Sequence, residues 1–194
     1  MSSWFVIEPV RAWYGQRALW RQRHQLPEGM RDMSDKSITA LSEMIRRGDG
    51  EAALVLVIDA TQASPKDAEV WGVRAFVEDL LELFDAAETS ITHAWMLNSS
   101  PDFQFKRASI RLKAGHAQGA LSDAQAVVES GEQFFHDEAL LLAAEAKRRM
   151  GRWNEAMQDC NQLPEEAEVW SGGLISARDI RAQCERMLGQ RKAA

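Results

Sequence analysis

The side chains able to do covalent or metal chemistry are few in this sequence, and their spacing does not serve it. His24, His93, His116 and His136 stand far apart, with no His-x-x-x-His or His-x-Glu pattern to set two ligands on one helix face. Cys160 and Cys184 form no Cys-x-x-Cys pair and have no histidine at zinc-ligand spacing, so both are expected as free thiols in a reducing compartment. Gly115 and Gly119 lack the Gly-Lys-Ser/Thr ending and the preceding strand that a phosphate loop requires. Adjacent carboxylates such as Glu165-Glu166 read as solvated loop charges. The sequence therefore predicts a protein that is not an enzyme, with no catalytic residue, metal or cofactor.

Where residue types do cluster, they suit contact with another molecule. Between Val10 and His24 the chain interleaves Arg11, Arg17, Arg21 and Arg23 with Trp13, Tyr14 and Trp20. As a helix, Val10, Trp13, Tyr14 and Trp20 share one wide face. Aromatics beside arginine are typical interface anchors, which favours protein contact for this arm, folded back or in trans. An anionic membrane or stacked nucleic acid stay open as alternatives for the arm alone. Residues 1–24 hold four arginines against Glu8, a net of +3. The whole chain carries −6, which leaves −9 on the other 170 residues. An acidic body of that kind repels a nucleic-acid backbone, so nucleic acid is not expected as its partner.

The elements behind these residues announce themselves as a repeat. Gly48-Asp-Gly-Glu-Ala-Ala53, Gly115-His-Ala-Gln-Gly-Ala120 and Gly151-Arg-Trp-Asn-Glu-Ala156 each set an alanine five residues after a glycine. A weaker copy without the glycine runs Glu82-Leu-Phe-Asp-Ala-Ala87. The alanines Ala53, Ala87, Ala120 and Ala156 are 34, 33 and 36 residues apart, and Ala75, Ala108 and Ala144 precede the last three by twelve. Antiparallel helices approach closely only where small residues meet, and a turn glycine supplies the left-handed backbone that ends the first helix. Apolar stripes before and after Gly151 recur at spacings of three and four, as helices require.

Over about residues 34–166 this pattern resembles the tetratricopeptide repeat family. Trp71 falls on the family's usual tryptophan position, and Pro65 and Pro101 lie near its inter-repeat proline. The usual first-helix aromatic is replaced by Met44, Glu78, Arg111 and Lys147, so the repeats are degenerate. The resemblance implies an all-α fold, a right-handed superhelix of about four helical hairpins. The expected organisation is an arm and linker over 1–33, the repeat array over 34–168, and a capping helix and tail over 169–194. That cap is read as a helix over about 174–190, with Gly172-Gly173 as a small hinge before it.

By the same resemblance a partner segment lies along the inward faces of the first helices. Those positions here are Ile38, Ser42 and Ile45; Gly72, Phe76 and Asp79; Phe105, Ser109 and Leu112; Leu141, Glu145 and Arg148. The proposed groove residues are Ile38, Ile45, Phe76, Phe105, Leu112, Leu141 and Arg148. Such a lining suits an apolar peptide or amphipathic helix. It lacks the Lys/Asn/Arg set with which the family grips a C-terminal carboxylate. Phe76, Phe105 and Leu141 suit a core equally well, and that choice stays open. Asp35, Glu69, Asp102 and Glu138 recur at one repeat position, where a first helical turn favours a carboxylate.

The function expected is a protein-binding scaffold, adaptor or assembly chaperone. Two alternatives are a structural subunit docked through its arm, or a peripheral membrane or nucleic-acid factor using that arm. No run of 18 apolar residues occurs, and the first residues have neither the length nor the basic start of a signal peptide, so a cytoplasmic protein is expected.

Overall fold

A computed structural model describes residues 40–193, with side chains over 40–190. Ile38, Asp35 and the whole arm, Arg11, Trp13, Tyr14, Arg17, Trp20, Arg21 and Arg23, lie outside the described residues. The elements in chain order are α1 (40–46), α2 (Gly50–Ala63), α3 (Ala68–Leu80), α4 (Phe84–Leu97), α5 (Pro101–Lys113), α6 (Ala117–Glu129), α7 (His136–Arg149) and α8 (Trp153–Cys160). Strands β1 (Glu168–Trp170) and β2 (Leu174–Ser176) follow, then α9 (Ala177–Ala193). Among the described residues, those up to Ser90 and those from Ile91 onward form two compact units. Among the described residues the fold is all-α with one two-stranded exception.

One turn recurs with each alanine copy. At Gly48, the Asp49 N–H donates to Met44 O at 2.9 Å and the Gly48 N–H to Ile45 O at 3.0 Å. The same pair of bonds forms around Gly115 (His116 to Arg111, Gly115 to Leu112) and around Gly151 (Arg152 to Lys147, Gly151 to Arg148). All three glycines have left-handed φ, +92°, +85° and +75°. This is the Schellman closure, in which the crossed bonds satisfy the last helical carbonyls. The copy without glycine makes it too. Leu83 donates to Glu78 O and Glu82 to Asp79 O, with Glu82 itself at φ 59°.

The spaced alanines lie where the helices press together. Ala53, Ala75, Ala87, Ala108, Ala120, Ala144 and Ala156 are all buried to within 1%. In the first unit, Leu41 of α1, Ala53 and Val57 of α2 and Val77 of α3 form one cluster. In the second, α5 packs on α6, α6 on α7, α7 on α8, and α9 returns over α8 and α7. Side chains cap the starts of α3 and α5. The Asp67 carboxylate accepts the Glu69 and Val70 N–H groups, and Ser100 accepts Phe103 N–H ahead of Pro101. Glu69, Asp102 and Glu138 each sit in the first turn of their helix.

The C-terminal part differs from its expectation. The helix read over 174–190 begins at Ala177, and Gly172-Gly173 form the tip of a hairpin. Glu168 pairs with Ser176, Val169 with Ile175 and Trp170 with Leu174. β-branched and aromatic residues on both sides of Ser-Gly-Gly are a hairpin signal, and they outweigh the helical spacing of Leu174 and Ala177.

Candidate functional site

In the first unit the inward positions are half-buried or buried. Ile45 on α1 and Phe76 on α3 pack against the Leu41, Ala53, Val57 and Val77 cluster and remain half-buried. Gly72 is buried, and Asp79 is half-buried beside Phe76 in sequence. Arg74 bonds Glu78 at 2.8 Å on the same helix, and its guanidinium lies 5.3 Å from the Trp71 ring centroid. Trp71 in turn donates its indole N–H to Pro65 O at 3.0 Å, which ties the interhelix turn to α3.

In the second unit the inward positions are filled. Phe105 is 6% exposed and stacks on Phe135 at 5.0 Å between ring centres, while Leu112 and Leu141 have no exposure. These three are core side chains in this conformation and offer no surface to a partner. Ser109 receives the hairpin: its hydroxyl donates to Ser171 Oγ at 2.9 Å, and Ser171 donates back to Ser109 O at 3.1 Å. Gly172 lies over the stem of Lys113, and both strands pack on α7. The buried strand pair Val169 and Ile175 faces inward; Trp170 and Leu174 stay exposed.

Arg148, the one cation read into the groove, is held within the fold. It makes a two-bond pair with Glu145 at 2.6 and 2.7 Å and reaches Gln183 of α9 at 2.8 Å. Arg149 also bonds Glu145, at 2.7 Å, and donates to Leu112 O at 2.6 Å. Burial works against ionisation of Glu145. The hydrogen bonds from Arg148 and Arg149 outweigh it and hold the carboxyl below its ordinary range.

The positions where the family's aromatic is missing hold a feature that the sequence reading passed over. Arg111 reaches Asp123 of α6 at 2.7 Å, and Lys147 reaches Asp159 of α8 at 2.6 Å. The two pairs occupy the same place in successive hairpins, each with its carboxylate twelve residues after the cation. Asp123 also takes a two-bond pair from Arg107 at 2.8 and 2.6 Å, and Arg107 stacks 4.3 Å from the Trp95 ring. The clue was present in the spacing of Asp123 and Asp159, three residues beyond the repeat alanines Ala120 and Ala156.

Both cysteines are free and buried. Burial pushes the Cys160 thiol up to about 12 and raises that of Cys184 as well. Neither is a nucleophile near neutral pH. Among the described residues no group of three or more His, Cys, Asp or Glu is placed to hold a metal ion. No helix among them is long and apolar enough to cross a membrane.

Paired helices closed by a repeated turn, with alanines at their crossings, define a tetratricopeptide-like fold, and solved structures agree. The chain is similar to a tetratricopeptide repeat protein from Parabacteroides merdae (TM-score 0.64, 19% identity), over 81% of this chain and 60% of that one. It is similar to YrrB, described as a TPR protein with an unusual peptide-binding site (TM-score 0.52, 18% identity), over 64% of each chain. A third is the Yersinia enterocolitica type III secretion chaperone SycD in complex with a peptide of the translocator YopD (TM-score 0.51, 15% identity). That match covers 65% of this chain and 98% of SycD. The chain thus spans less than two thirds of the first two proteins. No family model matches the sequence, and no curated protein matches it.

Proposed function

We propose that this protein is a non-enzymatic interaction scaffold that holds an apolar segment of a partner protein against the inward positions of its first helices. The observation that carries the reading is the hairpin over 168–176. The inward side of α5 and α7 already accepts an extended stretch of chain, through the Ser109–Ser171 hydroxyl pair and the Val169/Ile175 face. In the first unit the corresponding repeat positions, Ile45 and Phe76, are half-buried against the core. Peptide binding by YrrB and by SycD, proteins of similar fold, supports the assignment of those positions to a partner segment. The chemistry they fit is aliphatic or aromatic side chains on an extended strand or a helix face.

The test is affinity capture from native lysate by the full chain, by Phe76→Glu, and by Gln62→Glu as an exposed control on α2. Phe76→Glu should lower recovery of the captured protein about tenfold or more, the loss of one apolar anchor. Circular dichroism should show its helicity unchanged, and Gln62→Glu should capture normally. Full capture by a helical Phe76→Glu protein would refute the assignment.

A further inference from the structure

Helix α2 is apolar on two opposite sides. Gly50, Ala53, Val57 and Thr61 are its buried side. Ala52, Val55, Leu56, Asp59, Ala60 and Ala63 form a second stripe at helical spacing, all of it exposed, with Val55 and Leu56 at 52% each. A helix that is hydrophobic on both sides ordinarily has both covered. The only charges on this one are Glu51 and Asp59, both exposed carboxylates, and it carries no cation.

We propose that residues 10–24 of the same chain dock along this outer stripe of α2. The proposal is independent of the groove reading and concerns a different face. Three observations select this occupant. Residues 10–24 bring Val10, Trp13, Tyr14 and Trp20 as an apolar set and four arginines, the complement of a mostly apolar stripe with Asp59 within it and Glu51 at its border. A second copy would instead set carboxylate against carboxylate. The tether also suffices: residues 25–39 lie between His24 and Ala40, a reach of up to about 50 Å at roughly 3.3–3.6 Å per residue. Helix α2 is only about 21 Å long at ~1.5 Å per residue. Finally, the chain enters the described fold at α1, whose Leu41 packs on Ala53 and Val57 on the buried side of α2, so the tether has only the helix's girth, about 10–12 Å, to cross to reach the outer stripe.

The experiment uses the full chain with Ala60→Cys, a small exposed position inside the stripe, and measures its labelling by a water-soluble maleimide. Cys160 and Cys184 are buried and stay silent in the folded protein. Adding Trp13→Ala and Trp20→Ala should speed labelling at position 60 about tenfold or more, the factor that one large apolar anchor sustains. Dilution should leave the protected rate unchanged, and salt should raise it. As a check that does not touch the aromatics, Arg17→Glu with Arg21→Glu should also speed labelling, and Glu51→Lys with Asp59→Lys in that background should restore protection. Equal rates with and without the two tryptophans overturn the proposal. So does protection that survives their loss and fades on dilution, which would assign the stripe to a second copy. An unprotected thiol in the pure protein that is covered only on adding another protein overturns it equally.

Discussion

Replacing Glu82 with glycine should stabilise this protein. Glu82 occupies the left-handed corner of a turn that glycine fills at Gly48, Gly115 and Gly151. An L-residue with a Cβ in that conformation costs roughly 1–2 kcal/mol. Against this, glycine loses more freedom on folding, by roughly 0.5–1 kcal/mol. The net gain for Glu82→Gly is then about 0.5–1 kcal/mol, or roughly 1–4 °C in Tm for a chain of this size. The reverse substitution is its control. A Cβ added at Gly115 meets nothing within 4 Å, so Gly115→Ala imposes the backbone term without a clash and should destabilise by about 1 kcal/mol. The assay is urea unfolding followed by circular dichroism, comparing midpoints at unchanged slope. A lower midpoint for Glu82→Gly, or a neutral Gly115→Ala, would show that the turn geometry is not what these positions are chosen for.

Two further perturbations address the buried charges. Asp123→Ala leaves Arg107 and Arg111 enclosed without their anion and should cost about 3–5 kcal/mol; replacing all three by leucine or methionine should recover most of that, and failure to recover would mean the loss came from packing. For Glu145, the folded pKa lies below the unfolded one, so its contribution is present above the unfolded value near ~4.3 and is lost as pH falls through the folded one. Glu145→Gln should therefore remove part of the stability that urea midpoints lose as pH falls below the unfolded carboxylate value; an unchanged acid slope would exclude that role.

Much of the fold was legible because its determinants are local. A crossing of two helices needs a small residue, a Schellman turn needs a left-handed corner, and both leave fixed intervals in the chain. Glu82 shows how far this goes: the flanking alanines and crossed hydrogen bonds keep the turn even without its glycine. The carboxylates at Glu69, Asp102 and Glu138 were legible for the same reason, as first-turn residues. The ion pairs Arg111–Asp123 and Lys147–Asp159 were not, because a cation in the last turn of a helix reads as a solvated complement to the helix dipole until the partner helix is placed beside it. Each pair then does what the missing aromatic would have done by bulk, joining the two helices of one hairpin, but with a directional contact.

The groove was legible only in outline, and the reason lies in residues far along the chain. Repeat periodicity locates the inward side of a first helix; it cannot say what later segment comes to rest there. Phe105, Leu112 and Leu141 carry the spacing of groove positions, yet they are core. Ser109 meets Ser171 across 62 residues of sequence. A partner segment seeking the inward side of α5 and α7 must therefore compete with a tethered hairpin whose effective concentration is set by a short connection. Ile45 and Phe76, by contrast, are half-buried beside the core of the first unit. This difference makes Phe76, rather than the more apolar positions of the second unit, the side chain on which the scaffold reading stands or falls.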